Sequence, residues 1–185
     1  MIVLLRLIGV MNAALWFGAG IFFTFVAAPA LFSRPIKDLF GPETAGVAFA
    51  GLIAQALLER YFVLQYICAS VALLQQVAEW LYLGKALQRA SLGLLLGVFS
   101  LGLVNGLGLQ PKLKNLHSIR FSAELYHREL YSPAQKEQAT QSFRSWHHLA
   151  VAINLLQLGG LTLYLWNVTS PGNGPRFLAG SKFRS

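Results

Sequence analysis

The chain of 185 residues has 55 % hydrophobic and only 12 % charged side chains, with a formal charge of +8 and a mean hydropathy of +0.53. So little charge belongs in lipid rather than water, where surplus Lys and Arg mark headgroups and topology, not a nucleic-acid partner. The single cysteine, Cys68, lies inside an apolar run, which excludes a disulfide framework and a thiolate metal cluster.

From Leu7 to Phe32 no side chain is charged, and these 26 residues cover roughly 39 Å as a helix, enough for a tilted first span. Its apolar core is too long for a signal sequence, and Pro29 sits badly for cleavage after Ala27-Ala28, so an uncleaved anchor is expected. A turn-rich stretch to Gly41-Pro42 follows. Thr44 to Leu58 is apolar but too short to span, and Glu59-Arg60 would be costly in mid-bilayer, so an interfacial helix separate from span two is expected.

Span two covers about residues 62–83. Gln65, Cys68, Ala72, Gln75 and Glu79 recur at steps of three and four, which sets them on one face, and lipid's lack of hydrogen-bond partners turns that face into the bundle. Glu79, one turn from the end, is read as reaching the headgroups near Lys85. Span three covers about residues 87–109. Its Gly93, Gly97, Gly102 and Gly106 form two G-x-x-x-G spacings, read as sites of close packing against a neighbouring span rather than as a homodimer face. Pro111 is expected to end that helix.

Leu116, Ile119, Ala123, Tyr126 and Leu130 then keep a helical rhythm among Lys112, Lys114, Arg120 and Arg128, which predicts an amphipathic surface helix. Ser132-Pro133-Ala134-Gln135 supplies an N-cap, a first-turn proline and a capping-box glutamine, so a new helix starts there and enters the membrane as span four, about residues 146–168. Residues 169–185 form a basic Pro/Gly/Ser-rich tail, expected to be flexible. The fold class is therefore an all-α membrane protein, a four-helix bundle with one membrane domain over 1–168.

Four spans place the first and third loops on one side. Counted from that side, Thr24, Gln65, Asn105 and Asn154 all lie roughly 6 to 12 Å deep, with His147 and His148 at the rim. Together Thr24, Gln65, Asn105, His147 and Asn154 make a candidate polar mouth. Nine of the 15 Lys and Arg fall on its side (Arg34, Lys37, Arg60, Lys112, Lys114, Arg120, Arg128, Lys136 and Arg144), which favours a cytoplasmic mouth. The histidines raise a haem or metal reading through His147, with His117 or His127 from loop three. Adjacent His147 and His148 point about 100° apart, however, and no second span carries a histidine. Ser145 and His147, two residues apart, do not face each other and form no catalytic dyad. No phosphate loop, zinc-spaced cluster or hydrolase elbow is present, so no enzyme is expected.

Trp16, Gly18, Phe22-Phe23, the run from Val26 to Phe32, Arg60-Tyr61-Phe62, Pro111 and Phe143…Trp146-His147…Asn154-Leu155 together resemble the transmembrane protein 205-like family over roughly Ala14 to Trp166. Its bacterial members are catalogued as a domain of unknown function. The resemblance implies a compact four-span protein, in a bacterial inner membrane, with no agreed reaction. It gives Trp16, Pro29, His147 and Asn154 the status of family-motif positions without a role; His148, His117 and His127 fall outside the pattern. Three functions stay open at this point: a binding protein for a small ligand, lipid headgroup or ion at the polar mouth, an accessory subunit of a larger membrane complex, and a haem- or pigment-binding redox protein. The cofactor is unknown, and the bilayer and other membrane subunits are the expected partners.

Overall fold

The structure is a computed structural model that describes residues 2–41, 43–83 and 89–170. The described residues form helices and turns without a strand: α1 (Ile2–Phe22), a π-helical segment π1 (Phe23–Ala27), α2 (Ala28–Leu31), α3 (Arg34–Asp38), α4 (Glu43–Leu83), α5 (Arg89–Leu103), a second π segment π2 (Val104–Leu109), α6 (Gln110–Arg120), α7 (Ser122–Tyr126) and α8 (Pro133–Thr169). Among the described residues four stretches are long and apolar enough to cross a bilayer: Leu4–Leu31, Thr44–Tyr82, Ala90–Arg120 and Pro133–Thr169. The protein is an all-α multi-pass membrane bundle. The tail beyond Ser170, Lys85 and the expected start of span three at Leu87 lie outside the described residues.

Small side chains let the helices approach. Ala13, Cys68, Ala69 and Ala72 are at most 1 % exposed and pack with Trp16, Leu95, Val98, Leu161 and Tyr164 into one core cluster. Trp16 meets Tyr164 edge to face at 6.3 Å between centroids. Outward from this core, Leu7, Phe22, Ile67, Leu74, Leu96, Leu107, Leu156 and Leu163 are all exposed. Such a surface would aggregate in water and is at home against acyl chains.

Aromatic and charged residues mark the two edges of that apolar surface. Trp146 and Trp166 are twenty residues apart on α8, about 30 Å, which matches a hydrocarbon core. Exposed Arg60 and Lys112 join Trp146 at one edge; exposed Arg6, Trp80 and Tyr82 join Trp166 at the other.

Relative to those edges α4 corrects the sequence reading. Its 41 residues run without a break, about 61 Å, so no separate interfacial helix precedes span two. A Glu-Arg pair is a membrane boundary but not a helix stop. Glu59 accepts an ion-pair hydrogen bond from Lys114 at 2.7 Å, and the segment before it stands outside the bilayer as part of a cap with α3, the end of α6, α7 and the start of α8.

Pro111 likewise does not end the third span, because the chain continues through π2 into α6. Nor does one amphipathic helix follow: α6 stops at Arg120, α7 is five residues long, and Tyr126 and Leu130 are each 54 % exposed. Here His117, Phe121 and Ser122 are buried instead.

The start of α8 follows the local signal. Ser132 Oγ accepts from the Gln135 N–H, and Gln135 Oε1 accepts from the Ser132 N–H at 2.9 Å, closing the capping box that launches a 37-residue helix. Ser132→Ala should cost about 1 kcal/mol and fray the first turn, seen as faster amide exchange from Ala134 to Lys136.

The four glycines of the two G-x-x-x-G spacings divide. Gly93 and Gly97 are exposed, and a methyl group added at either would meet nothing within 4 Å, whereas Gly102 and Gly106 are buried. Nine residues separate each member of one pair from its counterpart, which is about 180° of helix, so the two spacings face opposite ways. Close packing within the chain therefore uses Gly102 and Gly106 and not Gly93 or Gly97.

Candidate functional site

Two prolines shape the polar region. Proline lacks an N–H and its ring clashes with the carbonyl four residues back, a conflict that a widened π turn relieves. Each π segment ends two residues before a proline, π1 before Pro29 and π2 before Pro111. The i→i+5 bonds are explicit: Ala28 N–H donates to the Phe23 carbonyl and Gln110 N–H to that of Asn105. The second residue of each segment is polar, Thr24 in π1 and Asn105 in π2. Both are turned onto α8.

There the contacts form a layer across the bundle. Asn154 Nδ2 donates to Thr24 Oγ1 at 2.8 Å, and Asn105 Nδ2 donates to the Ala150 carbonyl at 3.3 Å. One turn deeper, Gln157 Nε2 donates to Gln65 Oε1 at 2.9 Å. These two glutamines are 1 % and 2 % exposed.

Glycines clear the space for these polar ends. A Cβ at Gly102 would lie 3.1 Å from Gln157 Nε2 and 3.2 Å from Gln65 Oε1, and one at Gly20 3.2 Å from Tyr61 Oη. At Gly106 it would overlap Tyr66 Oη. Room at the helix crossings is given to polar side chains rather than to backbone contact.

The layer is not saturated. Gln157 Oε1 and Tyr66 Oη are buried without a hydrogen-bond partner, and Gln65 Nε2 makes no close one, the Gln65 amide meeting the Tyr61 phenol only loosely. Exchanging O and N in both amides would reverse the Gln65–Gln157 bond and leave the same surplus of one NH₂ and one carbonyl. A buried donor and acceptor left open cost about 1–3 kcal/mol each in a folded protein.

His147 continues the α8 stripe of Asn154 and Leu161 at seven-residue spacing. Along it Leu161 is 1 % exposed, Asn154 half-buried and His147 exposed. Exposure along this stripe thus rises toward the cap, where the His147 ring stacks on Phe143 at 5.7 Å. The structure therefore joins Thr24 directly to Asn154, carries Gln65 and Asn105 to the same α8 segment, and leaves His147 at the rim without bonding it to the others.

His117 lies on the other side of Phe143's contacts, 6.2 Å from that ring. It is 5 % exposed, and its Nε2 presses on Gly51 so closely that a Cβ there would overlap it. His127 and His148 are exposed. Among the described residues no three of His, Cys, Asp and Glu gather as a metal-ligand group.

Gln157, Tyr61 and Tyr66 are site residues that the sequence reading missed. Gln157 carried a signal, since it stands three residues after Asn154 and so on the same face. The other end of the inward face of α4 does separate work: Asn12 Nδ2 donates to the Cys68 carbonyl at 2.8 Å, and Gln75 Nε2 donates to the Leu5 carbonyl and to Glu79 Oε1, each at 3.3 Å. Trp16 is part of the core, 1 % exposed.

No curated protein and no solved structure matches the chain. A family model does, from residue 11 to residue 122, which takes in both π segments, Gln65, Tyr66 and the two buried glycines of span three but not α8. With more than half of its length matched, the chain belongs to the family described as Domain of unknown function (DUF4149).

Proposed function

We propose that the protein is a non-enzymatic binding protein of a bacterial inner membrane, which admits a small hydrogen-bonding ligand past His147 into the polar layer. The mouth faces the cytoplasm, as the nine Lys and Arg on that side favour. One observation carries this reading: the buried Gln65–Gln157 pair keeps an open donor and an open acceptor beside Gly102. Polar groups in a bundle core are expensive unless something uses them. A ligand with both an acceptor and a donor, such as an alcohol or an amide on an apolar body, satisfies both. The resemblance to the transmembrane protein 205-like family adds His147 and Asn154, which lie beyond the matched stretch, as mouth residues.

A thermal-shift screen of small apolar alcohols and amides tests it. At least one should raise the unfolding temperature of the wild-type protein, and Asn154→Ala and His147→Ala should each reduce that rise. A rise untouched by both substitutions would sink the mouth.

The exposed glycines of α5 and π2 support a second reading, an accessory subunit. Gly93, Gly97 and Gly108 have nothing within 4 Å of an added Cβ, which leaves a flat strip on which another protein's helix could lie. Gentle extraction should then recover a stoichiometric partner, and a partner-free monomer would count against this reading.

A further inference from the structure

Apart from the polar layer, a groove of about 250 Å³ runs between α6 and the start of α8. Leu116, Ile119 and Ala139 line it together with Tyr131, Gln135, Gln138 and Ser142, and of these polar residues Gln135 is already engaged in the capping box. Lys112 stands one turn before Leu116 on α6, and Trp146 one turn after Ser142 on α8, so both extend the faces that line the groove. They meet at its membrane end, where Lys112 Nζ lies 3.5 Å from the centroid of the Trp146 ring.

That end is at headgroup height, because Trp146 marks one edge of the roughly 30 Å apolar layer. Apart from that ring contact, the Lys112 charge is not neutralised. Lys114 is paired with Glu59 and Lys136 with Glu129, and among the described residues no carboxylate pairs with Lys112. Glu137, close to the groove's outer end in sequence, accepts from Gln141 Nε2 at 3.0 Å. Tyr131, Gln138 and Ser142 make no side-chain hydrogen bond among the described residues, so their polar atoms are available to a ligand.

From this arrangement we infer that the α6–α8 groove seats the headgroup of an anionic phospholipid with a hydroxylated headgroup, the phosphate on Lys112 and the polyol in the groove. The orientation follows from the bilayer: acyl chains stay below Trp146 and the phosphate meets the ammonium at the boundary. The headgroup then projects outward. A polyol has C–H faces and O–H edges, which suit aliphatic side chains flanked by hydroxyls and an amide. The site does not use Gln65, Asn105 or Asn154, so it stands or falls separately from the polar layer.

The test uses the full-length protein in nanodiscs of phosphatidylcholine doped with phosphatidylglycerol or phosphatidylserine, with retained lipid counted by native mass spectrometry. Phosphatidylglycerol should be retained about fivefold over phosphatidylcholine, the scale of one basic residue at a membrane surface, and also over phosphatidylserine. Lys112→Gln should abolish the preference over phosphatidylcholine. Ser142→Leu, which fills the groove without touching the charge, should abolish only the preference over phosphatidylserine and serves if Lys112→Gln does not fold. Equal retention of phosphatidylglycerol and phosphatidylcholine would overturn the proposal, as would a preference that survives both substitutions. Equal retention of the two anionic lipids would reduce the groove to charge alone and overturn its headgroup role. Displacement by free glycerol phosphate would assign the site to a soluble phosphate and overturn the lipid.

Discussion

Gln65→Leu should destabilise the bundle by about 2 kcal/mol, because it strands the Gln157 amide at 1 % exposure. Gln157→Leu should do the same to Gln65. The double replacement should return to within about 1 kcal/mol of the wild type, since removing both members of a buried polar pair leaves neither amide stranded. Unfolding equilibria in mixed micelles measure all three. Additive losses would mean that the two amides do not act as a pair and that their 2.9 Å contact carries no coupling.

The second large effect is in the cap. Gly51→Ala should cost about 2 kcal/mol, the scale of overpacking a close-packed interior. Its Cβ would overlap the imidazole of His117, which is hemmed in by the rings of Phe121 at 4.9 Å and Phe143 at 6.2 Å and has little room to retreat. Combined with His117→Ala, the same substitution should cost less than the sum of the two single changes, because the clash is gone. Full additivity would show that the imidazole swings aside freely and that Gly51 does not hold α6 against α4.

These two sites differ in how far the sequence revealed them. The inward face of α4 was legible from spacing alone: Gln65, Cys68, Ala72 and Gln75 are all 9 % exposed or less, because in lipid a polar side chain has no partner except inside the bundle. The capping box at Ser132 was legible because it is local.

What escaped depended on reading one signal for another. Glu59-Arg60 marks where α4 leaves the membrane, and charge by itself does not break a helix. Pro111 looked like a terminator since a proline in a regular α-helix is one, but the π turn before it absorbs the ring. The same device at Pro29 could not be foreseen from either proline alone, and it is the device that aims Thr24 and Asn105 at α8. Gly93 and Gly102 were separable by phase, as nine residues reverse a helix face. His117 was not: its burial comes from α6 continuing upright beside α4, which followed only once the helix was known to pass Pro111.

The central claim, that the polar layer holds a ligand, is tested most directly by mild purification from the native membrane followed by mass spectrometry of small molecules released on denaturation. The wild-type protein should release a hydrogen-bonding compound at near-stoichiometric yield, and the stable Gln65→Leu/Gln157→Leu protein should release none. A wild-type protein that releases nothing the double variant lacks would contradict the claim and leave the layer as hydrogen-bonded packing between helices.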